Sequence, residues 1–436
     1  MAVVPPDVPA PGPFPAVGLA GGAAPANYGP GEGERPAAPV PSRAEASSLA
    51  VRRLTVTRFR SYAQARLELD RRPVVLTGPN GAGKTNLLEA VSFLAPGRGL
   101  RRAKLSEVER LQPPGTPWEG PGWAVAALVD GPRGHVEIGT GRDPAADGTE
   151  RRLVRIDGQA ARGQIALAEH VAVVWLTPQM DRLFLEGASG RRRFLDRLVF
   201  GFDPGHAGRL GRYENALRER ARLLRDGGGD RAWLSALEDQ MVTTGIAVAA
   251  ARRELVARLG EACRRGVGPF PAPGLAVTGA VEAWLADRPA VEAEEAFRRA
   301  LADGRRQDAD AGGATTGPHR SDLAVTYLAK DMPAELGSTG EQKALLIAIV
   351  LANARLMAAE TGTPPLLLLD EVAAHLDSGR RTALFEEILA VGSQAWMTGT
   401  DASVFAELGG AAQPFRVEEG TAVAAPFDMP PAISAG

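Results

Sequence analysis

The segment Gly78-Pro79-Asn80-Gly81-Ala82-Gly83-Lys84-Thr85 constrains this chain more than any other. Gly-x4-Gly-Lys-Thr is a Walker A pattern, and its flanks suit one. Residues 72–77 read as a short buried strand, and residues 86–94 carry apolar side chains at helical spacing. Strand, glycine loop and helix start aim backbone N–H groups and a positive helix end at one point, where a polyphosphate fits. In such a loop Lys84 reaches the β- and γ-phosphates of ATP and the Thr85 hydroxyl ligates Mg²⁺. Gly78, Pro79, Asn80, Gly81, Ala82, Gly83 and Asn86 complete the cradle, with Arg58 and Arg60 as candidates for the base end. Only four of the 50 basic residues are lysine, so a lysine at 84 stands out where a compact ammonium is needed.

A second landmark is the apolar run Pro364–Leu369 ending in Asp370-Glu371. Its length suits a strand buried on both faces of a parallel sheet. Asp370 at the strand end is expected to hold Mg²⁺, and Glu371 to orient and deprotonate the attacking water. Thirty-two residues before Asp370, Ser338-Thr339-Gly340-Glu341-Gln342 opens an apolar helix with a capping box. A hydroxyl, bare N–H groups and a helix dipole there suit a γ-phosphate. Ser338, Gly340 and Glu341 therefore read as the signature that closes over ATP held by a second copy. Gln179, after the strand-like Val171–Leu176, reads as the glutamine-loop residue near Mg²⁺ and the water. Leu376-Asp377 reads as the D-loop, with Asp377 crossing the dimer interface.

Ser338 lies 254 residues after Lys84, more than the cassettes of membrane transporters use, so an insertion separates the two halves. Leu210, Tyr213, Leu217 and Leu224 share one helical face, as do Leu234, Leu237, Met241, Val248, Leu255 and Leu259. Gly227-Gly228-Gly229 between them makes the pair a helical hairpin. The division expected is an ATPase head from residues 51–200 and 314–436, with a helical arm at 201–313. The fold class is α/β: a P-loop, ABC-type head with a mixed sheet.

In family order stand Leu54–Tyr62, the glycine loop, Arg191-Arg192-Arg193-Phe194-Leu195-Asp196, Gly317-Pro318-His319-Arg320 and Ser338–Leu346. Through these segments the chain resembles the RecF family, short-armed relatives of the SMC-type ATPases. The resemblance runs from about residue 52 to 402. It implies an ATP-dependent recombination mediator and weak DNA-dependent ATPase, cytoplasmic, that dimerises on ATP. Its implied partners are duplex DNA near single-strand gaps, RecR directly, and RecO and RecA indirectly. Two positions depart from the family pattern: Glu371 where a second aspartate is common, and His375 where an acidic residue precedes the D-loop. No histidine follows the last strand, Gln394–Asp401, which leaves the γ-phosphate sensor unassigned. Two other readings are a transporter-type ATPase subunit and a DNA-binding module that ATP latches without turnover.

Residues 1–50 hold eleven of the 34 prolines with no apolar periodicity, which predicts a disordered tail. No run of eighteen uninterrupted apolar residues occurs, so no membrane span is expected. The single cysteine, Cys263, excludes an internal disulfide and fits a reducing cytoplasm. A net charge of −2 does not mark a nucleic-acid binder, so contacts to DNA must be local. The candidates are Arg98, Arg101, Arg102 and Lys104, then Arg218, Arg220, Arg222 and Arg225, then Arg252, Arg253 and Arg258. From charge alone a solvated helix face with i,i+4 partners such as Glu214 explains them better, and it is the resemblance that favours DNA contacts.

Overall fold

Consecutive residues of the strand Leu366–Leu369 are all buried and alternate between two hydrophobic cores, so layers cover both faces of the sheet it belongs to. The structure is a computed structural model that describes residues 48–111, 122–142, 151–227, 230–373 and 376–427. The expected tail, apart from Ser48–Ala50, lies outside the described residues, as does His375.

In chain order, β1 (Ala50–Phe59) and β2 (Tyr62–Glu68) form a hairpin, and β3 (Val74–Thr77) leads through the glycine loop into α1 (Lys84–Ser92). The strands β4 (Ala124–Gly131), β5 (Gly134–Arg142), β6 (Arg152–Ile156) and β7 (Gln159–Ala160) join the hairpin in an antiparallel sheet of order β2-β1-β4-β5-β6-β7. After β8 (Val173–Leu176) come α2 (Ala188–Phe202), α3 (Gly205–Arg225) and α4 (Arg231–Arg264). Next are β9 (Pro273–Thr278), α5 (Ala280–Asp287), α6 (Ala290–Asp303) and α7 (Arg305–Asp310), then β10 (Asp322–Tyr327) and β11 (Met332–Pro333). The chain closes with α8 (Thr339–Thr361), β12 (Leu366–Leu369), α9 (Ser378–Val391), β13 (Ala395–Gly399), β14 (Gln413–Glu418) and β15 (Thr421–Ala424).

The central sheet runs β15-β14-β3-β13-β12-β8, parallel except at β15. Leu367 and Leu369 face α8, whereas Leu366 and Leu368 face α1 and the antiparallel sheet. Each fully buried leucine contributes roughly 1.5–3 kcal/mol. By length and composition α8 could cross a membrane. It is instead the apolar centre of the head, with Ala344–Ala354 buried without a break. Ser338 starts it with a capping box, and Gly362, at φ 72°, ends it ahead of Pro364-Pro365.

The arm is not a separate lobe. α4, about 51 Å long at 1.5 Å per residue, serves two cores. Its first half, Leu234 to Ala249, packs on α3 and α6 around Tyr213 and Phe297. Gly245 makes that packing possible, because a Cβ there would lie 2.9 Å from the Phe297 ring and 3.0 Å from that of Tyr213. Its second half, Leu255 to Cys263, belongs to the head core. The boundary expected at 313 is crossed as well: β9 pairs with β10 in a small sheet of order β11-β10-β9.

Two of the expected DNA arginines are withdrawn into this joint. Arg220 is fully buried, donating to Glu238 at 2.9 Å, Asp308 at 2.7 Å and the Leu301 carbonyl at 2.7 Å. Arg252 forks onto Asp196 with two 2.8 Å hydrogen bonds and donates to the Pro318 carbonyl at 2.6 Å. Both readings of these residues, DNA contact or solvated face, are corrected. An arginine on a helix shows in sequence as surface, and its acidic partners arrive from other helices. The Arg-Arg-Arg-Phe-Leu-Asp and Gly-Pro-His-Arg segments meet at the same joint. Arg191 forks onto Asp322 at 2.7 Å, and Arg192 donates to the Ser321 carbonyl at 2.7 Å.

Candidate functional site

Gly83 precedes α1 at φ 113° and the helix start has no side-chain cap and no acidic residue in its first turn. Its first N–H groups are left to accept an anion. The loop is clasped from behind. Tyr62 donates to the Gly83 carbonyl at 3.1 Å, and a Cβ on Gly83 would lie 2.8 Å from both the Tyr62 hydroxyl and Ser61 Oγ. Gly78, at φ 140°, passes so close to β14 that a Cβ would sit 2.1 Å from the Val417 carbonyl oxygen. Only glycine fits at either place.

A cavity of about 190 Å³ opens over the loop, lined by Asn80, Gly81, Gly83–Asn86, Arg101 and Glu371. Lys84 Nζ folds onto the loop, donating to the carbonyls of Gly78 at 2.6 Å and Pro79 at 2.8 Å. Burial lowers its pKa, opposed by the charges of Glu371 and Asp370. A phosphate entering the cavity would offer the ammonium stronger, charged acceptors than those carbonyls.

The carboxylates come from the neighbouring strand end. Asp370 follows β12, and its Oδ1 accepts from the Thr85 hydroxyl at 2.9 Å and from Thr398 Oγ1 at 2.8 Å. Thr398 in turn accepts from the Glu371 N–H at 2.8 Å. Glu371 sits at φ 55°, a left-handed conformation that costs a non-glycine residue on the order of 1–3 kcal/mol. Two hard oxygen donors, Thr85 and Asp370, thus stand together. Among the described residues no group of three or more His, Cys, Asp or Glu side chains could hold a metal alone. That donor set fits Mg²⁺, which takes one or two protein oxygens and completes its shell with phosphate and water.

The other expected residues are placed as follows. Gln179 is exposed three residues beyond β8, whose Leu176 pairs with Leu369. Asp377 caps α9, accepting from the Arg380 N–H at 2.9 Å, and is exposed. Ser338, Thr339 and Gly340 are all exposed at the head of α8, and Leu336 beside them is 70% exposed. Glu341 accepts from the Ser338 N–H at 2.8 Å and pairs with Lys330, which holds its carboxyl down at about 2. None of these signature residues lines the phosphate cavity.

Arg58 and Arg60 do not line it either. Arg60 is spent on Glu89, at 2.7 and 2.8 Å, and on the Glu107 carbonyl at 2.6 Å; Arg58 donates to the Gly122 carbonyl at 2.9 Å. Arg101, assigned from sequence to DNA, lines the cavity and donates to Asn86 at 2.8 Å. Arg101 and Thr398 are the two site residues the sequence reading misplaced or missed. The only sequence signal for Thr398 is the strand read at 394–401, which is not the last one, since β14 and β15 follow it, and whose place beside β12 no local pattern reveals.

Residues 50–114 match the family model of the RecF/RecN/SMC N-terminal domain. The chain is 52% identical over 373 residues to the DNA replication and repair protein RecF of Mesorhizobium japonicum, across 85% of this chain and 97% of that protein. Among solved structures, that of the recombination mediator protein RecF-ATP in the RecFOR pathway aligns with a TM-score of 0.73 at 22% identity, covering 87% of this chain and 99% of that one. The Smc head domain from Pyrococcus furiosus aligns with a TM-score of 0.50 at 14% identity, covering 86% and 96%. The fold is that of an ABC-type ATPase head.

Proposed function

The chain belongs to the RecF family of DNA replication and repair proteins, and from that premise we propose that it is an ATPase whose two copies close around nucleotide and hold duplex DNA beside single-strand gaps. The observation that carries this reading is the exposure of Ser338–Gly340 at the head of α8, away from the lining of the phosphate cavity. A capped helix N-terminus that does not line the phosphate cavity of its own chain is available to a nucleotide held by a second copy.

ATP binds with its phosphates against the 78–85 loop, Lys84 leaving the Gly78 and Pro79 carbonyls to grip them. Mg²⁺, held by Thr85 and Asp370, would supply charge neutralisation on the phosphate oxygens. Glu371 accepts the proton of the attacking water, with Gln179 beside that water and Thr398 fixing the backbone that carries Glu371. Ser338, Gly340 and Glu341 of one copy, with Asp377 of the D-loop, complete the site of the other. Hydrolysis reopens the pair.

DNA is gripped through phosphate contacts without regard to sequence, in the cytoplasm, with RecR as the direct partner and RecO and RecA served indirectly. The test is retention of gapped duplex DNA by the wild type and by Glu371→Gln in ATP. Longer retention by the variant supports hydrolysis-driven release. Equal retention supports a latch without turnover and refutes the cycle.

A further inference from the structure

Four arginines without a side-chain hydrogen bond or ion pair converge on one recess. The recess, about 310 Å³, lies between the 95–102 loop, β8, α2 and the start of α3, and is lined by Arg98, Arg102, Arg193 and Arg197. Among the described residues none of the four side chains has a hydrogen bond or a carboxylate within 4 Å. Arg197 lies flat on Trp175, its guanidinium carbon 3.4 Å from the ring centroid, and its Nη1 is sealed from solvent with no acceptor. Two carboxylates border the recess. Asp196 spends both oxygens on Arg252 and also accepts from His206, and Glu214 reaches Arg102 only as a distant charge.

Such crowding is unfavourable in the free protein. Burial, then the charges of Arg102 and Arg193, pushes the Arg197 guanidinium down to about 9. Burial, then Arg193 and Arg98, lowers Arg102. Arg102 also holds a left-handed backbone, φ 58°, at the point where the loop turns Arg101 toward the nucleotide cavity and Arg102 into this recess. Uncompensated like charge and a buried donor without an acceptor are relieved together by one event: entry of a multivalent anion.

We propose that this recess is a binding site for a phosphate monoester, carried by the 5′ end of a DNA strand. A carboxylate, with one charge and two oxygens, is satisfied by one arginine fork. Four arginines match a dianion with three free oxygens. The space exceeds a bare phosphate, and Trp175, Phe200 and Leu210 give it an apolar floor for the attached nucleoside. A phosphodiester inside a strand has a single charge and chain on both sides, so it cannot enter a recess as a terminus can. The choice of a DNA end as carrier rests on the DNA-binding function proposed above; the anion site does not.

The test is titration of the nucleotide-free protein, followed by tryptophan fluorescence and by melting temperature. The ligands are pentathymidylate with a 5′-phosphate, the same oligomer with a 5′-hydroxyl, and inorganic phosphate at matched ionic strength. Arg98→Gln and Arg193→Gln, both at exposed positions, isolate this recess from the glycine loop. The 5′-phosphorylated oligomer is expected to bind at least about tenfold more tightly than the hydroxyl form, with the difference lost in both variants. If inorganic phosphate raises the melting temperature in an Arg193-dependent way while neither oligomer binds, the anion site stands and its carrier is a free phosphate compound. In that case it is the DNA reading that fails. Equal binding of the two oligomers, with no Arg193-dependent effect of phosphate, overturns the proposal.

Discussion

Thr398 and Asp370 share a 2.8 Å hydrogen bond across adjacent parallel strands, and the same threonine hydroxyl accepts the Glu371 N–H. One buried side chain thus sets both the metal-side carboxylate and the backbone of the proposed base. Thr398→Val keeps the shape and removes the hydroxyl. Turnover should fall about 10–100-fold while nucleotide affinity changes only a few-fold. Steady-state kinetics beside nucleotide titration separates the two, and loss of affinity with unchanged turnover would refute this role.

Lys84→Arg should lose ATP hydrolysis with the fold intact. The wider guanidinium cannot take the ammonium's place over the Gly78 and Pro79 carbonyls. Circular dichroism and a hydrolysis assay check this, and a variant hydrolysing at the wild-type rate would discredit the phosphate assignment.

The Asp196–Arg252 pair binds α2 to α4 and is nearly sealed from solvent. Burial opposes ionisation of Asp196, yet Arg252 and His206 hold its carboxyl below the usual range. Arg252→Leu, which strands that carboxylate, should cost about 3–5 kcal/mol in denaturant unfolding. Adding Asp196→Leu should recover part of the loss. A single variant within about 0.5 kcal/mol of wild type would show that the pair does not join arm to head.

His319 bridges the same joint. Its Nδ1 meets the Tyr213 hydroxyl at 2.6 Å and its Nε2 meets the Ala314 carbonyl at 2.7 Å, a pattern that the neutral ring satisfies. Burial lowers its pKa to about 4, against about 6.5 in the unfolded chain. Between those values the unfolded chain binds more protons, so stability falls as pH drops through that window. The loss attributable to His319 is on the order of 3 kcal/mol when complete. His319→Gln should flatten the slope of unfolding free energy between pH 6.5 and 4. An unchanged slope would contradict the assignment.

The parts of this molecule that sequence discloses are those fixed by neighbours along the chain. Strand, glycine loop and helix lie within residues 74–92, and Ser338 and Glu341 cap α8 with groups three residues apart. The parts it hides depend on distant partners. Arg220 is buried because Glu238 and Asp308 come to meet it. Arg60 leaves the nucleotide cavity because Glu89 claims it. α4 reads as one amphipathic helix, but which half faces which core depends on β9, α6 and α8 around it. The recess of unpaired arginines could not be foreseen either, since its arginines come from two elements about 90 residues apart in the chain, the 95–102 loop and α2.

The most direct test of the account is the mass of Glu371→Gln in solution, measured by light scattering with and without ATP and Mg²⁺. The prediction is one chain without nucleotide and twice that mass with it, and a single chain in both conditions once Ser338→Arg is added. A Glu371→Gln protein that stays monomeric at saturating ATP, or a double variant that dimerises as readily, would contradict closure of the site by the second copy's Ser338.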